Sequence, residues 1–255
     1  MFKNRGRLIG LGLLVLIAVL FFTILDFYAD LTWFETMGMT SILWKRLVSE
    51  WALFIAAWVV AFGLLAGNWL VARRLAGVGQ MTVPWLRQRR VQNQITAEPT
   101  TRVIAARVAD AVLAVAAAGM GLFFALPARD MWMPVLRYLY ATPFGEADPV
   151  LGRDLGYYIF DLPWLNFLQG WLLWLLLLSL VGAALVYLAS YSAERLTAKV
   201  QIVGERQPWL QLSRAAERHL LILGAVALGL FAWGYRLGMA RLLYSASGAS
   251  YGASY

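Results

Sequence analysis

Arg107 and Asp110 stand three positions apart in an otherwise apolar stretch, the spacing at which two side chains share a helix face and pair. An ionisable group in hydrocarbon is costly enough to be a functional candidate by default. The pair therefore offers a structural ion bridge or a step in a proton or ion relay, and its place near the end of the stretch favours the bridge. A second set, Glu146, Asp148, Asp154 and Asp161 around Arg153, has the oxygen ligands a hard cation takes. Asp148-Pro149 and Asp161-Leu162-Pro163 are first of all turn sequences, in which aspartate caps its own backbone and proline fixes the bend. Asp161 also stands where it would cap the start of a helix. With Trp164 just beyond, Asp148, Arg153, Asp154 and Asp161 are the residues expected to shape a loop that meets a partner.

Two further groups carry charge without clear chemistry. Arg87, Arg89 and Arg90, beside Pro84 and Trp85, would each gain about 1 kcal/mol from anionic lipid. Nucleic acid is a poor second for the same arginines and is not expected as a partner. His219, the single histidine, follows Arg218 and reads as a polar anchor at a membrane surface rather than a pigment or metal ligand. One histidine and Cys 0 exclude a bis-histidine haem, a thiolate metal site and a cysteine nucleophile built from this chain alone. The glycines of Gly6-Arg7-Leu8-Ile9-Gly10-Leu11-Gly12 follow no strand, so they make no phosphate loop. No cofactor motif and no catalytic constellation is expected, and the chain is read as a non-enzyme.

The elements that must position these residues follow from composition. Hydrophobic residues make up 61% of the 255 and charged ones 14%, an apolar excess that a water-soluble domain cannot bury. A helix rising 1.5 Å per residue needs roughly 20 apolar residues to cross hydrocarbon. Five stretches qualify, at about 8–27, 47–72, 105–127, 162–191 and 218–237. The expected fold is all-α, a polytopic membrane bundle of five transmembrane helices with interfacial segments, forming one domain over residues 1–255. The first stretch is kept as a span rather than a cleaved signal, because Asp26-Phe27-Tyr28-Ala29-Asp30 offers no small-residue cleavage site.

Lys and Arg set the expected orientation. Fourteen fall in the N-terminus and the second and fourth connections, against seven in the alternate segments. The N-terminus is accordingly expected in the cytoplasm and the C-terminus outside, in a bacterial cytoplasmic membrane. Tyr28, Trp33, Phe34 and Trp44 would flank the outer ends of the first two spans, and Met131 to Tyr140 would form a short interfacial helix. Small residues at packing spacing, Ala114, Ala118 and Gly121, Ser179 and Ala183, and Gly224, Ala225 and Gly229, mark expected helix contacts. No internal repeat supports an inverted-repeat transporter.

Asp148-Pro149-Val150-Leu151-Gly152-Arg153-Asp154, continuing through Tyr158-Ile159-Phe160-Asp161-Leu162-Pro163, resembles the signature of uncharacterised protein family 0182. Trp33-Phe34 with Gly38 and Leu43-Trp44 match as well, as do Ala232-Trp233-Gly234-Tyr235, Leu242-Leu243-Tyr244-Ser245 and Tyr251-Gly252-Ala253-Ser254-Tyr255. The resemblance covers most of the chain. It implies a large bacterial multi-span membrane protein whose membrane region precedes a big extracytoplasmic domain, and it implies no activity. Because the sequence stops inside the last matched motif, the expectation is an N-terminal portion of a longer product, with a shortened member as the other reading.

The function expected from these residues is that of a scaffold, anchor or accessory subunit of a larger membrane assembly. Its partners would be membrane lipids and other membrane subunits or its own missing C-terminal region. The alternative is part of a transporter for a lipid or other amphiphile.

Overall fold

The computed structural model describes residues 3–76, 99–198 and 213–244, with side chains placed over 10–76, 107–190 and 213–244. Arg87, Arg89 and Arg90 lie outside the described residues. Six α-helices are present among them: α1 (Lys3–Thr36), α2 (Thr40–Leu75), α3 (Pro99–Arg129), α4 (Trp132–Leu139), α5 (Leu162–Ala198) and α6 (Arg214–Leu242), with a π-helical turn at Tyr157–Asp161 leading into α5. All but α4 contain a stretch long and apolar enough to cross a membrane: Gly10–Thr36, Thr40–Leu75, Arg107–Arg129, Tyr157–Ser190 and Arg214–Leu242. The described residues contain no strand, only an isolated bridge between Ala147 and Asp154.

The helices run past the hydrophobic limits because nothing in the flanking sequence breaks them. Asp26 to Thr36 continue α1, and Thr40 to Glu50 already belong to α2, so Trp33, Phe34 and Trp44 lie on helices rather than in a loop. The break comes at Gly38, whose φ of 67° places it in the left-handed region. Gly38 N–H donates to Glu35 O at 3.0 Å and Met39 N–H to Phe34 O at 2.8 Å, the paired bonds of a Schellman stop.

The chain divides into two compact units, Met1–Trp51 and Ala52–Tyr255. The first holds α1, the Gly38 stop and the opening turns of α2, where Arg46 Nε meets Glu50 Oε1 at 2.7 Å one helical turn on. The second packs the remainder of α2 with α3, α5 and α6. Ala61, Leu65, Ala66 and Trp69 of α2 meet Ala117 of α3 and Trp171 and Leu175 of α5. Ala72, Ala183, Val186, Tyr187 and Ala216 form a second cluster, and Leu162, Leu237 and Ala240 a third, between α5 and α6.

Lipid tails are as apolar as leucine, so close packing and interhelical hydrogen bonds, rather than escape from water, hold such helices together. Small residues supply the approach: a Cβ on Gly121 would stand 3.2 Å from the backbone N of Phe62. Indoles supply the bonds. Trp58 Nε1 donates to Ala118 O at 3.1 Å, and Trp171 Nε1 to Phe124 O at 2.9 Å. Gln169 Nε2 joins α5 to α6 by donating to Leu230 O at 2.9 Å. Two glycines expected at contacts in α6, Gly224 and Gly229, have nothing within 4 Å of their Cβ positions. That helix packs instead through Ala216, Gly234, Leu237 and Ala240, because its contact face is set by α5 and not by the local density of small residues.

Candidate functional site

The segment between α3 and α5 is closed by two aspartates. Asp148 accepts from the backbone N–H groups of Val150 at 2.8 Å, Leu151 at 2.9 Å and Arg153 at 3.2 Å, and from the Tyr158 hydroxyl at 2.6 Å. Asp154 accepts from Phe144 N–H at 3.1 Å, Gly145 N–H at 2.8 Å and Gly156 N–H at 2.7 Å. Backbone bonds from Asp148 N–H to Arg153 O and from Leu155 N–H to Glu146 O complete the ring. Gly145 and Gly152, at φ 77° and 64°, supply the left-handed corners, and a Cβ on Gly156 would fall 2.8 Å from the Asp154 carboxylate.

This geometry fixes the electrostatics. The Tyr158 hydrogen bond, followed by the N–H groups of Leu151, Val150 and Arg153, holds the Asp148 carboxyl down at about 2. The Phe144, Gly156 and Gly145 N–H groups likewise lower that of Asp154. Carboxylates so engaged are loop-forming acceptors rather than free bases. Arg153 lies over the Tyr157 ring at 4.2 Å, and Trp164 stacks on Phe167 at 5.8 Å. Asp161 does not cap α5. It sits inside the π-helical turn, and Leu162 after it is already helical at φ −60°, ψ −38°, so the helix enters running and leaves no N-cap position there.

The ion pair expected between Arg107 and Asp110 is made differently. Arg73 of α2 reaches Asp110 across the helix interface through Nη2, while Arg107 occupies an exposed position on α3. The Arg73 side chain is 11% exposed, and its Nε and Nη1 are buried without a hydrogen-bond partner among the described residues. An interhelical approach has thus displaced the local pairing that three-residue spacing allows.

A polar chain links α2, α5 and α6 at the same end of the unit. Tyr187 O–H lies 2.8 Å from His219 Nδ1, His219 Nε2 lies 2.6 Å from Asn68 Oδ1, and Asn68 Nδ2 donates to Ser179 O at 3.1 Å and to Ser179 Oγ at 2.5 Å. Because a carboxamide oxygen only accepts, this amide orientation assigns the proton to Nε2 and leaves Nδ1 to accept from tyrosine. Each donor then points from Tyr187 toward Ser179, so the bonds reinforce one another. Trp69 Nε1 also donates to Ser179 O at 3.2 Å, and its indole fills the space a Cβ on Gly182 would take, 2.1 Å away.

His219 is therefore not a surface anchor. Ser213 caps α6 by accepting from Ala216 N–H at 3.1 Å, which starts the helix early enough to carry the imidazole into the bundle. Both ring nitrogens are engaged in hydrogen bonds between helices. Asn68 and Tyr187 were missed by reading charges alone; the available signal was a lone carboxamide in the uncharged run from Trp51 to Ala72.

A family model described as "Uncharacterised protein family (UPF0182)" matches residues 7–255. A UPF0182 protein of Synechococcus sp. (strain JA-3-3Ab) is 33% identical over 248 residues, covering 96% of this chain and 23% of that protein. Relatives from Cupriavidus necator and Salinispora arenicola are 31% and 32% identical, covering 98% and 99% of the chain and 26% and 24% of their own lengths. The chain spans about a quarter of the length of these curated relatives. No solved structure matches.

Proposed function

From the premise that this chain belongs to the uncharacterised protein family UPF0182, we propose that it serves as a non-catalytic membrane scaffold whose helices hold a preorganised loop against a partner. The partner is a further membrane subunit or an extracytoplasmic region of the longer relatives. The reading places the N-terminus in the cytoplasm of a bacterial cell and the Asp148 to Asp161 loop outside. One observation carries it: the loop's ordering hydrogen bonds are internal, with Asp148 and Asp154 accepting from its own backbone N–H groups and from Tyr158 and with backbone bonds closing the ring, so the segment is shaped before anything binds. Purification in mild detergent should give a stoichiometric complex that Asp154→Ala releases while the helices remain inserted. A monodisperse monomer from the intact protein would contradict the reading.

The polar chain from Tyr187 to Ser179 favours a second reading, part of a pathway for a lipid or other amphiphile, since polar groups at membrane depth mark pathways. On that reading His219→Leu abolishes flux in reconstituted vesicles without lowering membrane abundance. On the scaffold reading abundance and thermal stability fall together.

A further inference from the structure

Between α3 and α5 runs an apolar groove of about 520 Å³, lined by Phe123, Phe124 and Pro127 on one side and Phe167, Trp171 and Trp174 on the other. We propose that this groove binds the acyl chain of a membrane phospholipid, with Asn166 donating to the glycerol-ester carbonyl at its rim. This inference is independent of the scaffold reading.

Three features give the groove its shape. Gly170 leaves its floor open, with nothing within 4 Å of where a Cβ would stand. The Trp171 indole is tied to Phe124 O at 2.9 Å, which fixes one wall. Pro127 adds a rigid ring that cannot donate to the helix, and α3 ends two residues later. The groove is of the size and apolar character of a small-molecule site.

Its polarity identifies the ligand. Asn166 brings a carboxamide to the lining and makes no hydrogen bond among the described residues. It stands near the start of α5, beside the aspartate loop, whereas Trp174 lies about 12 Å further along the helix axis. A ligand must then present a hydrogen-bond acceptor at one end and a hydrocarbon chain at the other. The groove lies within the membrane-length stretches Arg107–Arg129 and Tyr157–Ser190 and is continuous with their exposed apolar surface at Phe123 and Trp174. Membrane lipid reaches it without passing through water. An ester carbonyl accepts from Asn166, and the chain beyond it follows the aromatic walls.

The test uses the whole protein in vesicles of phosphatidylcholine and phosphatidylglycerol, with a trace of phosphatidylcholine carrying a diazirine on its acyl chain. Irradiation followed by peptide mass spectrometry should label Phe123, Phe167 and Trp174 above Val181 and Leu185, exposed positions on α5 outside the groove. Gly170→Leu should fill the groove and lower its labelling about fivefold, with Leu185 unchanged. Asn166→Leu should weaken labelling about fivefold through the lost hydrogen bond. Gly170→Ala, a smaller step in the same direction, serves if Gly170→Leu does not insert. Equal labelling inside and outside the groove, or no response to either glycine variant, would overturn the proposal.

Discussion

The carboxamide oxygen of Asn68 lies 2.6 Å from Nε2 of His219, a residue 151 positions later in the chain. That bond, with the Tyr187 hydroxyl on the other face of the imidazole, ties α2, α5 and α6 together where side-chain packing is supplied mainly by alanines. The expected cost of removing either partner is the loss of a hydrogen bond plus an unsatisfied polar group left in an apolar site. His219→Leu and Asn68→Leu should each lower stability by about 1–2 kcal/mol, and the double variant should cost less than the two added. Thermal unfolding in detergent, followed by circular dichroism, checks both magnitude and non-additivity.

Gly182 gives way to Trp69. A methyl group there would overlap the indole at 2.1 Å, and the indole is held by its bond to Ser179 O. Gly182→Ala is therefore expected to destabilise the α2–α5 contact by about 1–3 kcal/mol. Trp69→Phe, which shortens the ring, should recover part of that loss. Melting temperatures of the two single variants and the pair measure the compensation.

Of the Arg73–Asp110 pair, the carboxylate side is 44% exposed and the guanidinium side 11%. Asp110→Ala leaves a buried guanidinium wholly unpaired, whereas Arg73→Ala removes both the charge and two unsatisfied N–H-bearing atoms. Asp110→Ala should thus cost more, about 1–2 kcal/mol after allowance for solvent on the carboxylate, and Arg73→Ala less. Arg107→Ala should change stability by no more than about 0.5 kcal/mol. The order Asp110, Arg73, Arg107 in detergent unfolding separates the interhelical bridge from the local one.

Much of the fold was legible in the sequence, because hydrocarbon imposes a length and an apolarity that five stretches meet. The short helix α4 fell inside the expected Met131 to Tyr140 segment, and the turn role of Asp148 followed from the proline after it. What stayed hidden was pairing between helices. Arg107 and Arg73 are equally plausible partners for Asp110 until the α2–α3 approach is known, since sequence spacing registers only the residue on the same helix. His219 was misplaced for a related reason. Its adjacency to Arg218 suggested a surface, while the Ser213 cap and helical rotation direct the two side chains differently. The continuous π-helical entry at Tyr157–Asp161 likewise has no spacing signal that separates it from an aspartate cap.

Acid should open the aspartate loop late. A carboxyl at about 2 in the folded loop, against about 4 in an unfolded chain, stabilises the loop fully above pH 4 and loses that contribution as pH falls toward 2. Pepsin cleavage between Phe144 and Tyr157 should stay slow at pH 4 and rise steeply as pH 2 is approached. Asp148→Asn, which cannot titrate, should remove most of that rise and leave the loop more easily cleaved at pH 4.

The scaffold reading stands or falls on whether the preshaped loop touches a partner. Val150 is exposed on it, beside the carboxylate that orders the turn. A photocrosslinking phenylalanine analogue at position 150, in the protein expressed in its own membrane, should give one discrete protein adduct that disappears in Asp154→Ala while the amount of inserted protein holds constant. Adducts with lipid alone, or a protein adduct that persists when Asp154 is replaced, would contradict it.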